Sequence, residues 1–266
     1  MDEDKIISMI NINPLNIRTI ENPTERMKLA AVSKDGLLLR YIKDPTEEMK
    51  NIALKSNARA IEFIENPTEE MMFIAVDKGW SNLSYIKNPT EAVLRKGIEQ
   101  RGWAIQYAKD PSEELQILAV KRDYDSIKYI KEPTVKAQEE AVKIKYDALR
   151  YIKNPCQRAV VTAIKSNEAA INFVYNLDEE SIKEFLKVNI LVIKYIYRKV
   201  NKELVQEVLQ EVLAQEDIEE NYVRNFLNCS YIDRNSDKIN LDKITLIYKY
   251  GSSKAKKIAV DEKLKM

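Results

Sequence analysis

Apolar residues recur along this chain in columns 22 residues apart, and the polar residues between them keep the same period. Seven prolines (Pro23, Pro45, Pro67, Pro89, Pro111, Pro133 and Pro155) mark the frame, each taken as position 1. Position 9 is small: Ala31, Ala53, Ala75, Gly97, Ala119, Ala141 and Ala163. Position 10 is branched: Val32, Leu54, Val76, Ile98, Val120, Val142 and Ile164. Position 17 reads Leu39, Ile61, Leu83, Ile105, Ile127, Leu149 and Ile171, and position 19 is always aromatic, from Tyr41 to Phe173. A fixed period of about 20–50 residues marks an array whose units bury a shared core by stacking.

Each repeat predicts two helices. In residues 45–66, Asp44 reads as an N-cap, Pro45 as N1 and Glu47 as N3 of a helix A that runs to about Lys55. A turn at Ser56-Asn57 leads to a helix B from Ala58 to about Glu65, with an i, i+3 stripe at positions 17 and 20. The small column marks close helix approach, and the aromatic column reads as packing between repeats. Residues 1–22 fit the frame as an N-terminal cap repeat, with Met9, Ile10, Ile17 and Ile20 in core columns. Residues 177–198 fit as a degenerate last repeat, with Leu177 in place of proline and Leu186, Ile193 and Tyr195 in register.

Beyond 198 the register fails, and residues 199–266 predict a C-terminal helical cap. A longer helix is expected from Asn201 to about Gln215, then further helices broken near Arg234–Asp237 and Gly251–Ser253. Lys243 to Tyr248 has strand-like composition but no partner strand. The expected fold is all-α: a right-handed α-solenoid of about eight 22-residue αα-hairpin repeats over residues 1–198.

The columns Asn-Pro-Thr-Glu-Glu, Ala-Val and Ile-x-Tyr-Ile resemble the short α-hairpin repeats of bacterial and phage proteins. Those are similar in style to armadillo, HEAT and tetratricopeptide arrays. The resemblance covers residues 1–198 and carries over no catalytic residue. It implies a binding role as scaffold, adaptor or inhibitor.

Composition narrows the chemistry. The chain has no histidine, which removes the usual neutral-pH general base, histidine-dependent hydrolase triads and histidine metal sites. Cys156 and Cys229 form no CxxC pair and read as free thiols. The five glycines build no phosphate-cradling loop. No cofactor or metal is expected. The cluster Glu216, Asp217, Glu219, Glu220 lacks calcium-loop spacing and reads as a solvated face. With 43 basic against 42 acidic residues, nothing pulls the whole chain toward nucleic acid or membrane. Residues 199–220 are acidic, seven acids to two lysines, whereas 221–266 hold ten basic residues to five acids. No leader or span is visible, so a cytoplasmic protein is expected.

Two surfaces carry candidate function. Positions 14 and 15 hold Trp80, Trp103, Tyr124 and Tyr146 in four consecutive repeats, beside the extra apolar residues Met72, Phe73 and Leu94. Such aromatics are typical binding anchors, or else they plug inter-repeat grooves or support a homodimer. A ladder of cations at positions 18 and 21 includes Lys87, Lys109, Lys128, Lys131, Arg150 and Lys153. It suits a phosphate backbone, or answers helix C-termini and neighbouring glutamates. These features favour a non-enzymatic protein-binding module, an inhibitor or adaptor acting by steric capture, with nucleic-acid binding as the alternative.

Overall fold

The computed structural model describes residues 2–264. The chain forms two compact units, residues 1–137 and 138–266. The architecture is an all-α solenoid of alternating helical segments.

In the first unit the A helices are α1 (Glu3–Ile12), α2 (Glu25–Lys34), α3 (Glu47–Ser56), α4 (Glu69–Lys78), α5 (Glu91–Gln100) and α6 (Glu113–Arg122). Each is followed by a six-residue 3-10 helix: Pro14–Thr19, Gly36–Tyr41, Ala58–Phe63, Trp80–Tyr85, Gly102–Tyr107 and Tyr124–Tyr129. The expected α-helical B segments are therefore 3-10 turns. Position 13 starts each one extended, and in several repeats its side chain caps the turn. Asn57 Oδ1 accepts from Arg59 N at 3.1 Å, and Asp35 does the same for Leu37 N at 2.9 Å. Six residues between that cap and an extended position 20 leave room for two 3-10 turns.

The A helices also start two residues later than expected. Asp44 is not the cap; its φ is 50°, in the left-handed region that short polar side chains tolerate. Thr46 is the cap, and its hydroxyl accepts from Met49 N at 3.3 Å. The proline thus fixes the approach to the cap and is not the first helical residue.

The caps also link repeats. Thr24 Oγ1 donates to Glu3 of the preceding repeat at 2.5 Å while accepting from Met27 N at 3.4 Å. Thr90 donates to Glu69 at 2.5 Å and accepts from Val93 N. Ser112 repeats the relay with Glu91 and Leu115 N. The recurrent helix-start acids are thereby assigned to inter-repeat ties as well as to the positive helix end. Glutamine side chains add others: Gln100 Nε2 donates to Val76 O at 2.7 Å, and Gln116 binds Pro111 O and Thr134 N.

The core follows the columns. Positions 5, 9 and 10 bury one face of α2 to α6, as with Met49, Ala53 and Leu54. Positions 16, 17 and 20 do so for the turns, as with Ala60, Ile61 and Ile64. Met9 is a correction: on the first A helix it is 46% exposed, while Ile10 and Ile17 are buried. Backbones approach closely at Gly36, where a Cβ would lie 2.1 Å from Ala53 O, and at Gly102, where it would lie 2.4 Å from Ala119 O. Ala119 itself has no exposed surface. Ala119→Leu is expected to overpack this contact and destabilise by about 1–3 kcal/mol, read from denaturant unfolding. An unchanged transition would place position 9 outside the core.

Helix α7 (Val135–Ile144) carries the frame across residues 137 and 138. The second unit continues with a 3-10 turn (Tyr146–Tyr151), α8 (Gln157–Ser166), a 3-10 turn (Glu168–Phe173) and α9 (Glu179–Val188). There the repeat gives out. Ile190–Val192 is a half-length 3-10 turn that runs directly into α10 (Ile193–Ile196), leaving Leu186 and Ile193 buried but Tyr195 45% exposed.

The cap that follows is helical, as expected: α11 (Lys202–Leu213), α12 (Glu220–Asn228), α13 (Lys243–Tyr250) and α14 (Ser253–Lys263). The strand-like 243–248 stretch lies in α13, which Asp242 starts by accepting from Thr245 N at 2.8 Å. Two-residue strands β1 (Ile232–Asp233) and β2 (Ile239–Asn240) pair in parallel. Buried Tyr222 ties α12 to α9 by donating its hydroxyl to Leu186 O at 2.9 Å, and that burial pushes its phenol pKa up. Among the described residues no helix is long and apolar enough to cross a membrane.

Candidate functional site

The aromatic residues at positions 14 and 15 appear where the turn's own cap is missing. Gly79, Arg101, Asp123 and Lys145 occupy position 13 without a side-chain cap bond. Each precedes one of Trp80, Trp103, Tyr124 and Tyr146 by one or two residues. Asp123 instead accepts from Gly102 N of the preceding repeat, at 2.7 Å.

Both tryptophans are half-buried against the next repeat. Trp80 meets the Tyr107 ring with centroids 6.3 Å apart. Trp103 meets Tyr129 edge-on at 6.0 Å, with the Arg101 guanidinium 4.4 Å and Lys128 Nζ 4.3 Å from its ring centre. Its Nε1–H donates to Asp125 Oδ1 at 2.8 Å. Met72 and Leu94 are buried, not exposed, at position 6, the place where Gln116 and Gln138 reach adjacent loops in later repeats. Phe73 is half-buried. Tyr124 is half-buried in the first unit, as is Tyr146 in the second. Trp80 and Trp103 both take part in packing between repeats.

Asp125 is the electrostatic centre of the Trp103 cluster. Partial burial works to raise its carboxyl pKa, but hydrogen bonds from Lys128, at 2.7 Å, and from Trp103 outweigh it and hold the group below the ordinary aspartate range. A depressed folded-state pKa gives stability that is present above the unfolded value and lost as pH falls through the folded one. Trp103→Phe removes one donor, so the Asp125 midpoint is expected to move up toward the ordinary aspartate range in a carboxyl-carbon NMR titration. An unmoved midpoint would show that the indole plays no part in holding the charge.

The cation ladder divides in two. At position 18, Lys128 is engaged with Asp125 and two rings, and Arg150 with Asp147 at 3.3 Å and the Tyr151 and Phe173 rings. At position 21, Lys43, Lys87, Lys109 and Lys131 of the first unit and Lys153 of the second are exposed. No ion pair among the described residues uses Lys87, Lys109, Lys131 or Lys153. The pairing with neighbouring glutamates that would neutralise this row is not made. Acids interrupt the row instead: Glu65 takes position 21 in one repeat, and Asp44, Asp110 and Glu132 follow their lysines directly.

Grooves open along this edge of the first unit. One of about 320 Å³ is bounded by Lys109, Asp110, Tyr129, Lys131 and Glu132. Another of about 570 Å³ lies beside Arg18, Glu21, Tyr41, Lys43 and Asp44, where Arg18 and Arg40 both approach the Tyr41 ring at 4.8 Å. Sequence reasoning found the lysines but not these grooves, whose walls come from residues 22 apart. Among the described residues no acid or cysteine cluster is arranged to hold a metal ion. No known protein family, curated protein or solved structure matches the chain.

Proposed function

We propose that this chain is a non-enzymatic protein-binding repeat module that holds its partner along the loop edge of the first unit. One observation carries the reading: the edge presents free cations and acids in alternation, Lys109-Asp110 and Lys131-Glu132, around open grooves. A uniform phosphate backbone would meet a repelling carboxylate beside each of these lysines. A protein surface of mixed charge complements both signs, which supports specificity and register. Capture would be steric, as by an inhibitor or adaptor in the cytoplasm. A bacterial or phage setting rests on the resemblance of the repeat columns and on the Lys-, Ile- and Asn-rich composition.

The test is a charge-reversed variant, Lys87→Glu with Lys109→Glu and Lys131→Glu. These side chains are exposed, so the circular-dichroism melt should be unchanged. A protein retained by the parent chain from an extract of its own source should be lost at least tenfold, at about 1.4 kcal/mol per tenfold. Mixed-sequence DNA and RNA should bind neither protein at physiological salt. Salt-sensitive nucleic-acid binding lost in the variant would replace this reading with the nucleic-acid one. Loss of self-association alone would make the edge a homodimer contact.

A further inference from the structure

The second unit carries an apolar groove that the loop-edge reading does not use. It lies between α13 and α14. Buried Ile247 and Ala259 form its floor, and Ile244, Tyr248 and Val260 form its walls. The wall residues are far from covered: Tyr248 is 80% and Val260 58% exposed. Leu264, one helical turn beyond Val260, is 81% exposed. Apolar side chains clustered in this way mark an interaction surface, whereas scattered ones do not.

The groove is held in shape from outside. Asp242 and Ser252 cap the two helices, and Ser252 N donates to Leu213 O of α11 at 2.8 Å. Gly251 makes the corner between them tight: a Cβ there would lie 2.5 Å from Ile247 O. Arg224 and Asn228 of α12 both bind Glu262 and fix the far end of α14. Walls fixed in advance lower the ordering cost of binding.

Size and charge select the occupant. The volume, about 220 Å³, falls below the roughly 300–1,000 Å³ of small-molecule sites, so the groove takes one or two side chains and not a cofactor. Its charged lining residues are Lys256 and Lys263, and no ion pair among the described residues uses either. They stand seven residues apart on α14, about 10 Å along the axis. A docked helix matches that spacing with acids at i and i+7 around a central apolar pair. We propose that this groove binds a short acidic amphipathic segment of another protein, its bulky apolar side chains seated over Ile247 and Ala259 and its carboxylates on Lys256 and Lys263. A concave slot with a lysine at each end favours an inserted side chain over the flat face of a lipid bilayer.

A random 16-residue peptide library displayed against the full chain tests this, with the Tyr248→Ser, Val260→Asp variant as counter-selection. Enriched peptides are expected to combine Leu, Met or Phe with flanking Asp or Glu. One of them, synthesised and labelled, should bind at least tenfold more weakly to the Lys256→Glu, Lys263→Glu variant by fluorescence anisotropy. All four positions are on the surface, and unchanged melts would confirm folding. The loop-edge lysines stay intact, so this result and that of the earlier charge reversal are independent. Failure to enrich groove-dependent peptides overturns the proposal, as does enrichment of peptides without acids. Groove-dependent sedimentation with phosphatidylserine vesicles, without peptide binding, would assign the groove to a membrane surface. Groove-dependent dimerisation would assign it to a second copy, and either result replaces the acidic segment.

Discussion

The Trp80→Ala, Trp103→Ala double variant is expected to destabilise the first unit by about 4 kcal/mol. A fully buried aromatic cut to alanine costs about 3–5 kcal/mol, and each of these half-buried rings stands to lose about half of that. Trp80 gives up its contact with Tyr107. Trp103 gives up Tyr129, the flanking cations and its bond to Asp125, all but Arg101 lying in the next repeat. These two turns lack a position-13 side-chain cap, so ring packing supports the Trp80 turn, and ring packing together with the Gly102–Asp123 bond supports the Trp103 turn. Hydrogen exchange over Trp80–Tyr85 and Gly102–Tyr107 should speed up ahead of the rest of the unit. Unchanged protection together with loss of a captured protein would instead return both rings to the role of binding anchors.

Phe226→Ala is the second large effect, about 3–5 kcal/mol in the second unit. Phe226 has no exposed surface, and it sits on α12, the helix that Tyr222 ties to α9 and Arg224 ties to α14. A cavity there would loosen the support of the α13–α14 corner. Denaturant unfolding followed by hydrogen exchange in α12 and α14 measures it. Loss confined to α12, with α14 fully protected, would mean that the helices of the cap are held independently.

Much of this fold was legible because repetition averages away local ambiguity. Seven aligned copies made the small column at Ala119 and the branched column at Val120 plain, and both are buried. The type of the second segment was misread for a physical reason. An i, i+3 stripe at Ile61 and Ile64 fits one face of an α-helix, but three residues is the whole turn of a 3-10 helix. Composition cannot separate the two when only six residues are involved. The cap was misplaced because Asp44 and Thr46 both have capping side chains, and only backbone geometry decides between them.

The candidate surfaces were legible in part. Lysine positions follow from the register, yet whether a lysine is paired depends on rotamers, and Lys128 and Lys131 differ in this respect while three residues apart. The tryptophans stood out in the sequence as anomalies, but their partners Tyr107 and Tyr129 lie in the following repeats. The groove between α13 and α14 was out of reach, since nothing in the register of residues 1–198 extends to it.

The threonine relay at the helix starts bears on how such a chain changes length. Each link joins a glutamate brought by one repeat to a cap hydroxyl brought by the next, as Glu69 does with Thr90 and Glu91 with Ser112. Deleting or duplicating 22 residues across these links again joins a cap hydroxyl, threonine or serine, to a glutamate. A sequence change of that kind keeps the link between repeats, so recombination between copies can lengthen or shorten the array and so alter how many edge lysines it displays.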